Sequence, residues 1–224
     1  MTTPRRSDLD VSPVVLDIEV LPLLECADYL DPPQAPRNLK DPEKIAAALA
    51  EKQADQLSRA GLDPLLGRIC AVGTWSRDAG EQVQLCLTEA DERDAIGQFW
   101  DRVIDPMRLI VGYSIRFDLR YLLTRSRLLG LPTPPLDLGR YPRLKRFECL
   151  YEVLTFGEMQ HFDGVMSRSL RSVCRRLGLP YDTEVEGKQV PELWAAGDYA
   201  AVAEHCRRDV ESARELARWL GLLN

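Results

Sequence analysis

The chain has 224 residues, 45% of them hydrophobic, and a formal net charge of −6. This length and composition fit one globular domain spanning residues 1–224. The acidic balance argues against non-specific binding along duplex DNA, and the longest apolar run near a strand, Ile69 to Ser76, is far too short to span a bilayer.

The charge is unevenly distributed along the chain. Residues 113–176 contain 12 basic and 6 acidic residues, a balance of +6, so the remainder of the chain carries −12. This asymmetry predicts a basic face beside an acidic pocket. A solvated, arginine-rich helical surface is the alternative interpretation.

Cysteine usage and the opening residues indicate the expected compartment. The 6 cysteines are scattered without a C-x-x-C pair, and there are only 2 histidines, which argues against a structural zinc site. No apolar segment follows the charges of MTTPRRSDLDVSP, so we expect no signal peptide. We therefore expect a cytoplasmic protein with reduced thiols.

The first predicted element is a buried strand, Val14–Leu21, that carries two acids. Asp17 and Glu19 point to the same face because side chains alternate along a strand. Two like charges side by side on a buried strand are destabilising, and burying them unpaired costs more. Basic partners or a cation must therefore compensate them.

A proline-rich loop and a helix separate this strand from the next one. Asp41 stands as the N-cap and Pro42 in the first turn of a helix that ends at Gly61. The segments RICAVGTWS and EQVQLCLT then predict a β-hairpin joined by the turn RDAGE. The helix is thus an insertion after strand 1.

The rest of the chain alternates between helices and strands. Thr88 and Asp91 resemble a capping box at the start of a helix. RLIVGY predicts a fourth strand, FDLRYLLTRSRLLG a helix ending at Gly130, and residues 136–147 a short fifth strand. SLRSVCRRLGL and DYAAVAEHCRRDVESARELARWLGLL predict the last helices. This order predicts an α/β fold, a mixed five-stranded sheet flanked by helices.

Two further acids stand at unusual positions. Asp118 opens a helix directly after a strand, and His205 and Asp209 are four residues apart, so they share a helix face. Taken singly, Asp118 fits a helix-start residue and Asp209 fits a partner of the nearby Arg208. Asp118 and Asp209 can lie at one place together with the two acids of strand 1 only if cations offset the repulsion between the four carboxylates.

The segments LDIEV, VGYSIRFDLRYLL and HCRRDVESA resemble, in order and approximate spacing, the three motifs of the DEDD (DnaQ-like) 3′–5′ exonucleases. LDPLLGRICAVGTW, SLRSVCRRLGLP and the end of the chain look most like the polymerase-B-type branch. The resemblance covers nearly the whole chain except about residues 22–60. It implies a ribonuclease-H-like fold. Because the inserted helix is well capped but lies between two core strands, we expect it to pack as a flap beside the active-site cleft.

The resemblance also implies roles for individual residues. Asp17, Glu19, Asp118 and Asp209 would bind two divalent ions, Mg²⁺ or Mn²⁺, that hydrolyse phosphodiester bonds. His205 lies at the interval of the subgroup that has Tyr before the last Asp, so the chain resembles a Tyr-spaced member with a His substituted. The imidazole would act as a base or orient the attacking water.

The resemblance implies substrate-binding residues as well. Those that would hold the terminal nucleotides are Val20, Leu21, Tyr113, Ser114 and Phe117. Ser114 stands where many members have Asn, so the resemblance does not imply the hydrogen bond that Asn makes to the terminal nucleotide. Phe117 also fits a core position. Candidates for backbone contacts are Arg116, Arg120, Arg168, Arg171 and Lys188.

Three functions follow as hypotheses. The leading one is a metal-dependent 3′–5′ exonuclease acting on single-stranded or frayed DNA ends, with replication or repair proteins as possible partners. The second is an exoribonuclease of the same fold. The third is a non-catalytic nucleic-acid-binding module, against which the presence of all four acids argues.

Overall fold

The computed structural model describes residues 13–103, 108–139, 146–155, 169–181 and 185–223. Within these residues, the sheet has five strands in the order β3-β2-β1-β4-β5. They are β1 (Val14–Pro22), β2 (Gly67–Ser76), β3 (Gly80–Leu85), β4 (Ile110–Gly112) and β5 (Phe147–Cys149). β2 pairs antiparallel with both β1 and β3, whereas β4 pairs parallel with both β1 and β5. The mixed sheet predicted from the sequence, consistent with a ribonuclease-H-like fold, is confirmed.

Helices cover both faces of this sheet. They are α1 (Pro42–Ala60), α2 (Glu89–Val103), α3 (Ile115–Leu128), α4 (Leu150–Leu154), α5 (Leu170–Leu177), α6 (Val190–Ala195) and α7 (Tyr199–Trp219). Short 3₁₀ turns lie at Cys26–Tyr29 and Gly187–Gln189. α2 and α3 pack on one face, while α7 crosses β1, β2 and β3 on the other, with α5 and α6 beside it. None of the described helices is long and apolar enough to cross a membrane.

Strand β1 contributes to the core on both of its faces. Leu16 and Ile18 join the cluster that α2 and α3 cover. Val15 joins the cluster beneath α7, and Leu21 packs with Cys206 of α7. Because side chains alternate along a strand, the acids between Val15 and Leu21 belong to the face that α7 covers.

The inserted helix α1 has the predicted ends. The Asp41 carboxylate accepts hydrogen bonds from the backbone N–H groups of Glu43 and Lys44, as an N-cap does. Ala60 is the one described residue of α1 that is fully buried. The hydroxyl of Tyr121 donates to the carbonyl of Gly61 at 2.9 Å. The helix is therefore fixed to the body of the protein mainly at its C-terminal end.

The fifth strand and two short helices differ from the predictions. β5 begins at Phe147, the last residue of the segment predicted to contain it, and runs on to Cys149. α4 and α6 were not predicted. α6 contains a proline, a residue that usually indicates a loop. Here the proline stands in the first turn of the helix, where the backbone N–H has no partner within the helix, so its absence does not destabilise the helix. Elements of five or six residues are too short to show a helical period.

Candidate active site

Strand β1 brings Asp17 and Glu19 to the centre of the sheet. Asp17 pairs with Gly73 of β2 and Glu19 with Ala71, so only small residues stand opposite the two acids. The register shifts between Glu19 and Val20, which marks a β-bulge. Bulges re-aim side chains and often lie next to active sites. The small neighbours leave the space above the acids open to α7.

Asp118 reaches the same region from the first turn of α3. β4 is only three residues long and pairs with β1 at Val14 and Val15, so the backbone of Ile18 lies beyond this ladder. That backbone hydrogen-bonds the Asp118 carboxylate instead. The side chain of Asp118 is buried. The short strand therefore makes room for an acid beside β1.

Helix α7 supplies His205 and Asp209 one turn apart. The predicted buried face of this helix is confirmed, because Val202, Cys206 and Leu216 are buried. Arg208 pairs with Glu204 and Glu211 rather than with Asp209. Asp209 is thus not the surface ion-pair partner that the arginine-rich helix also allowed.

The five predicted residues meet at one place. Ligand atoms of Glu19, His205 and Asp209 all lie within 4.8 Å of one another, as do those of Asp17, Glu19 and Cys206. Asp118 is near enough for its charge to raise the pKa of Asp17 and of Glu19. Residues distant in the sequence are therefore neighbours in the fold.

The four acids are held in an environment that disfavours their charge. Burial and the neighbouring carboxylates Asp209, Glu19 and Asp118 raise the pKa of Asp17 well above its ordinary value. Burial and the charges of Asp209 and Asp118 do the same to the pKa of Glu19. For Asp118, burial raises the pKa to about 7, despite backbone hydrogen bonds that oppose the shift.

Asp209 and His205 complete this electrostatic pattern. Burial raises the pKa of Asp209, although His205 and a hydrogen bond with Tyr181 lower it. Burial lowers the pKa of His205, so the imidazole is neutral near pH 7, although the charge of Asp209 opposes the shift. In the described part of the chain, no Lys or Arg offsets the carboxylates. A buried cluster of this kind is what a cation stabilises.

The donor atoms fit a divalent ion. Oδ1 of Asp209 is buried and has no hydrogen-bond partner among the described residues, so it is available as a ligand. Hard ions such as Mg²⁺ and Mn²⁺ prefer carboxylate oxygens. Burial raises the pKa of the Cys206 thiol well above its ordinary value, which favours the protonated thiol, a poor ligand for such hard ions.

The predicted nucleotide-binding residues differ in how deeply they are buried. Leu21 is buried and Val20 half-buried at the end of β1. Tyr113 is half-buried and packs edge-on against Tyr151, with ring centroids 5.8 Å apart. Phe117 is half-buried and packs against the core cluster, in line with its core alternative. Ser114 is exposed at the N-cap of α3.

The basic candidates differ in how far they are committed to other contacts. Arg116 pairs with Glu152 and also donates to the carbonyl of Leu138 at 2.6 Å, so it is held inside the protein. Arg171 and Lys188 both pair with Glu186, at 3.4 and 2.7 Å. Arg120 is exposed. Arg168 lies outside the described residues.

Sequence reasoning missed Tyr181 and Cys206. Tyr181 follows α5, and its side chain hydrogen-bonds Asp209. A single tyrosine in a loop carries no periodic signal that would place it there. Cys206 lies beside the first acid, with its thiol donating to the carbonyl of Asp17 at 3.9 Å. Its position next to His205 on a buried helix face was the available clue.

Comparisons with known proteins identify a family and a shared fold. The family described as "Predicted 3′-5′ exonuclease related to the exonuclease domain of PolB" matches residues 62–213, more than half of the chain. The matched segment includes Asp118, His205 and Asp209, whereas Asp17 and Glu19 precede it.

A solved structure shares the fold. The chain superposes on the family B DNA polymerase from the hyperthermophilic archaeon Pyrobaculum calidifontis with a TM-score of 0.62 and 20% sequence identity. The match covers 94% of this chain but 24% of the polymerase, so the chain spans about a quarter of that protein's length. No curated protein sequence matches the chain.

Proposed function

Because the chain belongs to the family of predicted 3′–5′ exonucleases related to the exonuclease domain of PolB, we propose that it hydrolyses phosphodiester bonds at the 3′ ends of single-stranded DNA. We propose further that it does so as one catalytic domain with two divalent ions, Mg²⁺ or Mn²⁺, held by Asp17, Glu19, Asp118 and Asp209. This assigns the chain to the DEDD exonucleases as a Tyr-spaced member with His205.

The observation that carries this proposal is the cluster of acids, of which Glu19 and Asp118 are buried and Asp17 and Asp209 half-buried. Four carboxylates from β1, α3 and α7 meet where burial raises the pKa of each, and repulsion between carboxylates adds to the rise for Asp17, Glu19 and Asp118. Such an arrangement lowers the stability of the folded protein, because burying like charges costs free energy. A functional role explains its presence better than a structural one. Two divalent ions, when bound, supply an activated water and stabilise the leaving 3′-oxygen.

The protein's own residues have distinct roles in this proposal. The bulge in β1 and the backbone of Ile18 fix the directions of Glu19 and Asp118. Tyr181 hydrogen-bonds Asp209, which limits the rotation of that carboxylate. Val20 and Leu21 follow Glu19 on β1, and Tyr113, Ser114 and Phe117 shortly precede Asp118. In this proposal these five residues would hold the terminal nucleotides. The exposed Arg120 is the best remaining candidate for a phosphate contact, since Arg116 is engaged with Glu152.

The substrate and the setting complete the proposal. We take single-stranded DNA ends as the substrate because the chain resembles polymerase-associated exonucleases. The partners of the chain would then be replication or repair proteins in the cytoplasm. The same geometry serves RNA hydrolysis, because two-metal chemistry acts on the phosphate and not on the sugar. A module that only binds nucleic acid would not need four converging acids.

Release of nucleotides from end-labelled oligomers tests the function. We expect mononucleotides to appear from the 3′ end of single-stranded DNA with Mg²⁺ or Mn²⁺, and none with EDTA or in the variant Asp17→Ala. A matched RNA oligomer separates the two nuclease functions. If wild-type protein binds the oligomer but releases no product under any metal condition, both nuclease functions are excluded and only the binding-module function remains.

A further inference from the structure

His205 differs from the other residues of the acid cluster in being a nitrogen donor that is almost wholly buried. Its side chain is 3% exposed. The Nε2 atom lies 3.4 Å from Oε1 of Glu19, longer than the usual N–H···O hydrogen bond of about 2.9 Å. Two atoms at this separation, one nitrogen and one oxygen, face each other without a well-formed hydrogen bond.

The spacing suits two ligands of one ion. With metal–ligand bonds of about 2.1 Å, ligand atoms at bond angles between octahedral and tetrahedral lie roughly 3.0–3.4 Å apart. One ring nitrogen of His205 and one carboxylate oxygen each of Glu19 and Asp209 lie within 4.8 Å of one another, and Nε2 is the nitrogen that faces Glu19. The three donors come from β1 and from two successive turns of α7, so they approach a common point from different directions.

The other ring nitrogen is not engaged by the described residues, so no hydrogen bond from these residues fixes the tautomer of the ring. Nδ1 of His205 is buried and has no hydrogen-bond partner in the part of the chain that the structure describes. A neutral imidazole carries its proton on one nitrogen and a lone pair on the other. An ion on Nε2 places that proton on Nδ1. The backbone of Gly187 borders the ring, since a Cβ there would lie 3.8 Å from Nε2.

We propose that Nε2 of His205 is a direct ligand of a divalent ion shared with Glu19 and Asp209, and that this ligand makes the centre prefer Mn²⁺ to Mg²⁺. The inference rests on the proposed function and names the metal selectivity of the same site. Imidazole nitrogen is a good ligand for transition ions, whereas Mg²⁺ favours oxygen ligands and water. A tyrosine at this position would offer a protonated phenol, which hydrogen-bonds but does not bind the ion.

Pulsed electron paramagnetic resonance of bound Mn²⁺ tests the ligand directly, because a coordinated imidazole gives a nitrogen coupling that oxygen ligands do not. We expect this coupling in the wild-type protein and in the control His161→Gln, which alters the chain's other histidine. We expect its loss in His205→Phe and in His205→Tyr. A wild-type spectrum without nitrogen coupling, or an unchanged one in both His205 variants, would overturn the inference. So would the absence of Mn²⁺ binding.

Calorimetric titration provides the second readout. Removing the imidazole should weaken Mn²⁺ binding at least about tenfold, while Mg²⁺ binding changes by less than about threefold. Equal losses for both ions in His205→Phe and His205→Tyr would show a structural role and contradict the inference. Thermal unfolding in EDTA identifies a variant that fails to fold, and His205→Gln then replaces it.

The outcomes separate this inference from the proposed function. Hydrolysis of DNA without nitrogen coupling would refute the ligand but retain the nuclease. Nitrogen coupling without hydrolysis under any metal condition would retain the ligand and refute the nuclease.

Discussion

Gly73 on β2 lies directly against Cys206 on α7. A Cβ at Gly73 would be 2.7 Å from the Cys206 sulfur and 2.7 Å from a methyl group of Val210. Gly73 also pairs with Asp17 in the sheet, so this close approach sets the distance between α7 and the strand that carries Asp17. The absence of a side chain at one position allows β1 and α7 to share a cluster of ligands.

The variant Gly73→Ala is therefore expected to push α7 away from the sheet. Overpacking of this kind costs about 1–3 kcal/mol, and it separates Asp209 from Asp17, so metal binding weakens as well. Urea unfolding and calorimetric Mn²⁺ titration measure the two effects. The control is Gly97→Ala on α2, where a Cβ meets nothing within 4 Å; there, higher helix propensity should add up to about 1 kcal/mol. Equal metal affinity in Gly73→Ala and wild type would contradict the spacing argument.

Asp118→Asn should remove hydrolysis while the fold is retained. The amide keeps the size of the side chain but removes one negative charge, and losing several kcal/mol of metal-based stabilisation lowers kcat by about 10²-fold or more. In the absence of metal, the variant should be more stable than wild type, because it avoids the cost of burying a charge and also the repulsion from Asp209. Nucleotide release and thermal unfolding in EDTA check both effects. Asp101→Asn, at an exposed site on α2, is the control. Near-normal turnover in Asp118→Asn would rule out the assigned role.

The stability of the metal-free protein should depend on pH through these acids. Burial raises the pKa of Asp118 from 3.8 to about 7 in the folded state. The folded protein thus binds more protons than the unfolded chain between about pH 4 and 7, and stability falls as pH rises through this window. Thermal unfolding in EDTA should show the gap between Asp118→Asn and wild type widening from pH 4 to 7. A gap independent of pH would mean that Asp118 has an ordinary pKa.

A buried ion pair on the far face of the sheet provides a stability test independent of metal. Arg125 donates to both oxygens of Glu92 at 2.8 Å, and Glu92 also accepts from the backbone of Ile69 at 2.8 Å. Arg125→Met leaves a buried carboxylate unpaired, which should cost about 3–5 kcal/mol in urea unfolding. Arg59→Met, which breaks an exposed pair with Asp55, should cost less than about 1 kcal/mol. Similar losses in both variants would contradict the burial argument.

Helix α1 should be removable. Most of its residues are exposed, and its firm attachment is at Ala60 and Gly61. We expect replacement of residues 39–58 by a short Gly/Ser linker to leave a protein that unfolds cooperatively and binds metal normally. If α1 is a flap beside the cleft, the affinity for single-stranded oligomers changes, which fluorescence anisotropy measures. Replacing the same helix by a scrambled sequence of equal length is the control. Aggregation of the shortened chain would show that α1 is part of the core.

The sequence predicted most of the fold because its signals are local. The cap at Asp41 and the capping box of Thr88 and Asp91 mark helix starts, and hydrogen bonds at each position confirm them. The mixed order of strands and helices predicted the sheet. What was missed depends on tertiary contacts. α4 and α6 are too short to form alone and are stabilised by packing against α7 and the sheet.

The site was predictable only in its charged residues. Acids on a buried strand and at a helix start contradict local preferences, and such conflicts point to function. The contribution of Tyr181 was not predictable, since it depends on where a loop lies in space. The engagement of Arg116 with Glu152 was not predictable either, because the two residues belong to α3 and α4.

The long sequence separation of the clustered acids bears on how the molecule acquires its chemistry. Cys206 touches Asp17 across 189 residues of chain, and β1 must pair in parallel with β4 before Asp118 comes into reach. Contacts of such range are slow to form, because closing long loops costs entropy before it is repaid. A chain in which α7 has not docked on the sheet therefore keeps its acids apart and has no assembled cluster of ligands. Under the proposed function, such a chain would neither hold the ions nor hydrolyse nucleic acid.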